Sequence, residues 1–297
     1  MSNLLNGLTL TAIAEESLPV LQRIVPPLLA FHTDFSRETA AAYGAINTRY
    51  PTAVSASLYT RTAGYTAQDA TGSQVQISLS DVLHSVSAFT DYEVSTITMP
   101  RLINTFLEGN MFGVVNVVWA GINSQFTMAT YGTASYTGST FTFDNAYRTV
   151  IGTLKQSGST SPKSLVLSVP YYGMLLNDVK NNYQIGTTEL IREGTIGRLG
   201  GVAVYEAPNF NNLGEGLAGI GVGKEALTLA TRLPVISVAS GIEEVEEATE
   251  PESELTLQLR LSRNPWTGLT YIGYYLLYGY AKGQTQALTR ITDGTHP

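Results

Sequence analysis

The chain of 297 residues contains no cysteine. This excludes disulfides, thiolate metal sites and thiol nucleophiles, and leaves no support for a secreted disulfide scaffold. Charge is scarce: Asp, Glu, Lys and Arg supply 14% of the residues, well under the usual quarter. Histidine occurs three times, as His32, His84 and His296, with no i, i+4 pair. A histidine metal site or a triad therefore has little support, and His32 and His84 read as hydrogen-bonded structural residues. The longest apolar run, Met111 to Ile122, is too short to span a bilayer and contains Asn116. No Lys or Arg precedes Arg23, and Glu15-Glu16 interrupts the first apolar stretch. A secretory leader is thus not expected, and the protein is expected to be soluble and intracellular when made. There is no basic tail or patch, so tight nonspecific binding to nucleic acid is not expected.

What is present is apolar and aromatic. Hydrophobic residues make up 43% of the chain, with 17 Tyr among them. The length allows a large core in one or two domains. Low charge together with abundant Tyr points to a surface largely covered by partners, because Tyr is enriched at interfaces. The net charge of −7 has a local origin. Glu243, Glu244, Glu246, Glu247, Glu250, Glu252 and Glu254 crowd into one segment, and the remaining 17 acidic residues balance the 17 basic ones.

Along the chain, residues 1–50 read as an arm. Leu18, Leu21, Ile24 and Val25 recur at helical spacing until Pro26-Pro27, and a second short helix is expected from Ser36 to Tyr43. Residues 51–97 alternate in short runs such as Gln74 to Leu79, which predicts a long two-stranded hairpin in need of a partner surface. The strongest helix pattern spans 98–126, where Leu102, Phe106, Met111, Val114, Val115, Val118 and Ile122 recur at three- to four-residue steps. Residues 127–142 read as loop or irregular strand. An amphipathic helix is expected from Phe143 to Gln156, a strand from Ser164 to Val169, and a helix from Pro170 through Asp178. Gly186 to Phe210 reads as strand, glycine turn and strand. A strand over Gly219 to Val222 and a helix from Lys224 to Thr231 are expected next. Leu255, Leu257, Leu259 and Leu261 then share one face of a strand, and Leu269 to Tyr280 forms a second, joined antiparallel near Gly268. Strands and helices without strict βαβ alternation, and without internal repeats, indicate an α+β fold.

Motifs for chemistry are weak. Gly214-Glu215-Gly216-Leu217-Ala218-Gly219 matches G-x-G-x-x-G, but loop sequence precedes it and a strand-like run follows, so it reads as a loop. Gly221-Val222-Gly223-Lys224 fails as a P-loop, because Ala218 and Glu225 occupy positions that need Gly and Ser/Thr. The glutamates lack the spacing and central glycine of a calcium loop. They read as a solvated acidic face or as a face meeting arginines of a neighbour. No catalytic, cofactor-binding or metal residue is assigned, and the chain is not expected to be an enzyme.

Four segments carry a resemblance. SLVLSVPYYGMLLND from Ser164 to Asp178, IREGTIGRLGGVAVY from Ile191 to Tyr205, IGVGKEALTLA from Ile220 to Ala230, and the closing segment from Tyr278 to Ile291 resemble the major capsid proteins of tailed bacteriophages, the HK97-fold family. The order of elements is similar over most of the chain. The resemblance implies an N-terminal arm at 1–50, an extended hairpin (E-loop) at 51–97, and a peripheral domain with a long spine helix at 98–139 and 236–297. It implies an axial domain at 140–235. It further implies an icosahedral shell of hexamers and pentamers around double-stranded DNA, residing in the virion after assembly in the host cytoplasm. Scaffolding, portal and decoration proteins are the further partners it implies, with no cofactor and no membrane. Arg61, Arg192, Arg198, Glu243, Glu244, Glu246 and Glu247 are the expected subunit contacts. None of the five lysines falls in 51–97, so stabilisation without covalent cross-links is expected. The alternatives are a nucleotide-binding enzyme using the 214–224 glycine-rich loop and an encapsulin-like cellular shell.

Overall fold

A computed structural model describes residues 10–40, 44–51, 59, 61–62, 72–90, 92–93, 107–157, 161–182, 196–207, 210, 212–236, 242–264 and 266–295. Its strands form two six-stranded sheets and one two-stranded pair; one core cluster draws on both large sheets and a second lies on the other face of the smaller one. Both helices and strands contribute, so the chain is α+β.

The larger sheet is built on β13, Leu269–Lys282, whose apolar and aromatic residues are largely buried. Residues 269–275 of β13 pair with both β4, Asp81–Thr90, and β12, Thr256–Asn264. Leu277 and Tyr278 pair with both β4 and β10, Leu227–Pro234. Each β residue has two lateral neighbours, so β12 and β10 lie end to end along one side of β13 and β4 covers the other. Beyond β12 lies β11, Ile242–Thr249, and beyond β10 lies β1, His32–Ala40, in parallel register. β4 approaches β13 closely because Gly273 has no side chain; a Cβ there would lie 2.6 Å from the Ser85 carbonyl oxygen.

Two helices cover this sheet. α1, Leu10–Ile24, buries Leu10, Ile13, Ala14, Ser17, Val20 and Leu21, an i, i+3, i+4 stripe. Ser17 donates to the Ile13 carbonyl at 2.6 Å, and its oxygen lies 2.5 Å from the buried Tyr274 hydroxyl. α2, Glu108–Asn123, buries Met111, Val114, Val115, Val118, Trp119 and Ile122. The start of the 98–126 pattern lies outside the described residues. Phe31 stacks on Phe126 and tilts against Trp119, which extends the core between the helices.

The smaller sheet runs β5 (Tyr136–Thr137), β14 (Leu288–Thr292), β9 (Leu217–Gly223), β6 (Lys163–Ser168), β8 (Val202–Ala207) and β7 (Arg198–Leu199). It packs against wide helical turns at Asn145–Ile151, continued by α3, Gly152–Gln156, and against α4, Val169–Asn182. The chain passes between the sheets at Lys224–Ala226 and again at Thr285–Ala287. Gly283 donates to the Ala226 carbonyl and Gln284 to the Glu225 carbonyl, which ties the two passages together.

Several expectations change. Ser36 to Tyr43 was expected to be helical; through Ala40 it belongs to β1, held by the parallel ladder to β10, and 41–43 lie outside the described residues. Lys224 to Thr231 gives one tight turn and then a strand, because Leu227 to Thr231 is buried on both faces between β1 and β13. A fully buried strand lacks alternation and cannot be told from a buried helix by pattern. Both strands of a hairpin were expected within 51–97; β3, Gly72–Ser78, lies there, but it pairs with β2, Ala45–Pro51, from the segment expected to be arm, while β4 joins the larger sheet. Ile77 and Leu79 pack on Ala230 and Leu277, anchoring the base of that pair to β10 and β13.

Candidate functional site

Lys163, Glu225, Tyr50 and Tyr131 form a polar group where the two sheets meet. Tyr50 hydrogen bonds Thr228, and Tyr131 donates to the Ala226 carbonyl at 2.8 Å. Burial, with the Glu225 charge second, pushes the Tyr50 phenol up to about 12. Burial also pushes the Tyr171 and Tyr274 phenols to about 12 and raises Tyr131. Such phenols stay protonated near neutrality and act as hydrogen-bond donors, not bases. Lys163 is lowered by burial, which Glu225 opposes, and it donates to the Ser161 carbonyl at 2.7 Å. Among the described residues no three His, Asp or Glu side chains are placed to share a metal ion.

The glycine motif from Gly214 forms a tight turn, with Leu213, Gly214 and Gly216 at positive φ, and runs directly into β9. A phosphate cradle needs the turn to open a helix, whose N-terminus carries the anion site. This geometry does not provide one. Glu215 instead pairs with the buried Arg290 and accepts from the Met128 amide at 2.9 Å. His32 meets Tyr50 edge-on, and His84 stacks on Tyr275, both in structural contacts; His296 lies outside the described residues.

The outward-facing features are more distinctive. Glu243, Glu244, Glu246 and Glu247 lie on β11, which among the described residues pairs with β12 alone, so no described strand lies along its outer edge. Glu243, Glu244 and Glu247 are exposed and Glu246 is half-buried. Glu15, Leu18, Glu246 and Glu247 line a recess between α1 and β11. Carboxylates on an open edge discourage indiscriminate strand pairing and favour a cationic partner. Glu250 behaves differently. It is buried and accepts from the Glu252 amide at 3.1 Å and the Ser253 amide at 2.5 Å, closing the β11–β12 turn. Sequence proximity had placed it with the solvated glutamates.

Arg198 is exposed at the start of the β7–β8 turn. Gly200 and Gly201 there take φ of +56° and +84°, values that favour glycine. Arg61 is exposed in a turn, and Arg192 lies outside the described residues together with 183–195. Arg61 and the β11 glutamates sit on different elements, and no ion pair among the described residues joins Arg61 or Arg198 to a β11 glutamate. The abundant tyrosines divide: Tyr50, Tyr131, Tyr171, Tyr172 and Tyr274 are core residues, while Tyr59 and Tyr92 are exposed. Composition had suggested interface use for the whole set. Trp266, in the turn between β12 and β13, is 94% exposed, and nothing in the sequence singled it out.

No family model matches the chain, and no curated protein matches it. Solved structures do. The chain is similar to the capsid of Ralstonia phage GP4, with TM-score 0.55 and 10% identity over 90% of this chain and 88% of that one. It is similar to the capsid of cyanophage P-SCSP1u, with TM-score 0.51 and 9% identity over 89% and 86%. It is also similar to the mature capsid of bacteriophage PhiM1, with TM-score 0.50 and 11% identity over 90% and 86%. The chain therefore has the fold of phage capsid structures. No described helix is long and apolar enough to cross a membrane.

Proposed function

We propose that the chain is a major capsid protein, whose copies assemble into an icosahedral shell of hexamers and pentamers enclosing double-stranded DNA. The observation that carries this reading is the likeness to capsid structures along nearly the whole length of both chains. The absence of assigned chemistry and the low surface charge fit a structural role. The axial domain corresponds to the smaller sheet and the peripheral domain to the larger one. The two connections refine the division: 224–226 and 283–287 separate the domains, and the terminal β14 returns to the axial side. The β2–β3 pair is the base of the E-loop, which therefore takes in 45–51, α2 belongs to the spine helix, and the residues before β2 are the arm. Arg61, Arg192 and Arg198 on one copy face Glu243, Glu244, Glu246 and Glu247 on others. Scaffolding, portal and decoration proteins complete the virion, assembled in the host cytoplasm.

Electron microscopy and sizing of the purified chain test this. Capsomers or shells are expected, with nuclease-protected DNA in native particles. A stable monomer or dimer that binds nucleotide overturns the reading, and particles holding cargo protein instead of DNA indicate a cellular shell.

A further inference from the structure

The segment Pro26–Ala30 lies between the two large sheets. α1, just before it, packs on β11 and β12 of the larger sheet, and β1, just after it, joins that sheet beside β10. Between them the chain packs for five residues on β6 and β8 of the smaller sheet. The sequence makes this excursion stiff. Pro26 and Pro27 have no amide proton, so α1 ends there, and their fixed φ pre-shapes a tight turn. Val25 donates to the Leu21 carbonyl at 3.0 Å, Leu28 to the Val25 carbonyl at 2.9 Å and Phe31 to the Leu28 carbonyl at 3.2 Å. The turn is thereby tied to the end of α1.

Its side chains fill the seam. Leu28, Ala30 and Phe31 are buried in one apolar cluster that also takes in Val166 and Ile220 of the smaller sheet and Leu259 of the larger. Phe31 is the hub of a row of rings. It stacks on Phe126 at 5.7 Å and tilts against Trp119 at 6.3 Å. Trp119 meets Phe210, just past β8, at 5.9 Å. Phe126 meets Tyr131 at 6.2 Å, and the Tyr131 hydroxyl donates to the Ala226 carbonyl in the connection between the sheets. The strand connections at 224–226 and 285–287 are narrow, and narrow connections alone leave rotation soft. A close-packed filling does not, because protein interiors transmit strain instead of yielding to it.

We propose that Pro26 to Phe31 form a wedge that sets the angle between the two sheets, and through that angle the curvature of the shell. The link to curvature rests on the shell reading; the wedge itself does not. In a shell each sheet makes its own contacts with other copies. An angle held inside every copy then repeats at every contact, and the rotation from one copy to the next decides how the assembly closes.

The test uses full-length chain, whose lack of cysteine permits one pair of spin labels. Glu252→Cys in the β11–β12 turn and Gln156→Cys at the end of α3 put one label on an exposed position of each sheet's layer. Doubly labelled chain, diluted in unlabelled chain, gives the distance between them by pulsed electron paramagnetic resonance. Phe31→Leu thins the wedge and Ala30→Val thickens it, and they are expected to move that distance in opposite directions. Leu28→Val, a smaller change in the same turn, replaces whichever of the two does not fold. Leu175→Ala opens a cavity in the core on the other face of the smaller sheet and is expected to leave the distance unchanged. Shells of the wedge variants are expected to differ from wild type in diameter, and those of Leu175→Ala to match it. Unchanged distances in the wedge variants, or an equal change in Leu175→Ala, overturn the wedge and leave the shell reading standing. Moved distances with unchanged diameters overturn the link to curvature alone. If wild type forms no shell, the shell reading falls and the distances alone decide the wedge.

Discussion

Arg232 on β10 grips Asp34 on β1 with both ends of its guanidinium. Nη2 lies 3.0 Å from Oδ2, Nη1 lies 3.2 Å from Oδ1, and Nη1 also donates to the Asp34 carbonyl at 3.0 Å. The Arg232 side chain is 11% exposed and Asp34 34% exposed, so the pair is partly shielded from water. It fixes the N-terminal strand onto a sheet otherwise formed by the second half of the chain and β4. Asp34→Ala removes both carboxylate acceptors from a mostly buried guanidinium and is expected to cost about 2–3 kcal/mol. Replacing both residues by apolar ones should cost less than the sum of the single changes, and a double-mutant cycle by chemical denaturation measures that difference.

Gly279 tolerates no side chain. A Cβ there would lie 2.3 Å from the Ser78 carbonyl oxygen, a backbone atom where β3 meets β13. Gly279→Ala is expected to destabilise by about 1–3 kcal/mol through overpacking. Gly109, in the first turn of α2, has nothing within 4 Å of the same built atom, so Gly109→Ala is expected to be neutral or slightly stabilising. Thermal melts of the two variants, compared side by side, check the contrast.

Acid stability should report on Glu250. Burial works to raise its carboxyl, but hydrogen bonds from Ser253 and Glu252 outweigh it and hold it below the ordinary range. A carboxylate lowered on folding stabilises above its unfolded value, near ~4.3, and loses that contribution as pH falls through the folded value. Wild type is therefore expected to lose stability below about pH 4 more steeply than Glu250→Gln. Parallel slopes in melts from pH 7 to pH 3 would show that the turn does not use the charge.

Charge reversal separates assembly from folding. Arg198 is exposed, and Tyr205 beneath it is raised by burial, an effect Arg198 opposes. An exposed pair is worth only ~0–1 kcal/mol, so Arg198→Glu should leave the melting temperature within a degree or two. Repeated at every subunit contact, the same change is expected to impair shell formation. Normal shells from Arg198→Glu would remove Arg198 from the contacts.

Covalent cross-links are not expected. Lys155, Lys163, Lys180, Lys224 and Lys282 all lie outside 51–97. Mature particles boiled in detergent should run as a single band on a denaturing gel, and a ladder of oligomers would refute this.

Much of the candidate surface was legible because charge and its spacing are properties of the chain. The glutamates of β11 form an exposed edge whatever they meet, and the weakness of each chemical motif followed from residues present or missing at set offsets. Trp266 was not legible. A lone Trp after Pro265 carries no signal of exposure until the β12–β13 register places it at a turn. Glu250 was misread for the converse reason: its neighbours in sequence are solvated, and only the closed turn puts two amides on its carboxylate.

The sequence by itself determined the α+β mixture, the helical face of α2, the β6–α4 unit and the β12–β13 hairpin. Each of these rests on a local period or a local cap. Tertiary structure decided that 32–40 and 227–234 are strands, because each is fixed by a ladder partner about two hundred residues away. It also decided that β13 carries neighbours on both sides, since Gly273, which lets β4 approach, matters only against backbone from elsewhere in the chain. Local pattern specifies which face is apolar, while long-range pairing specifies which backbone groups are satisfied and by whom.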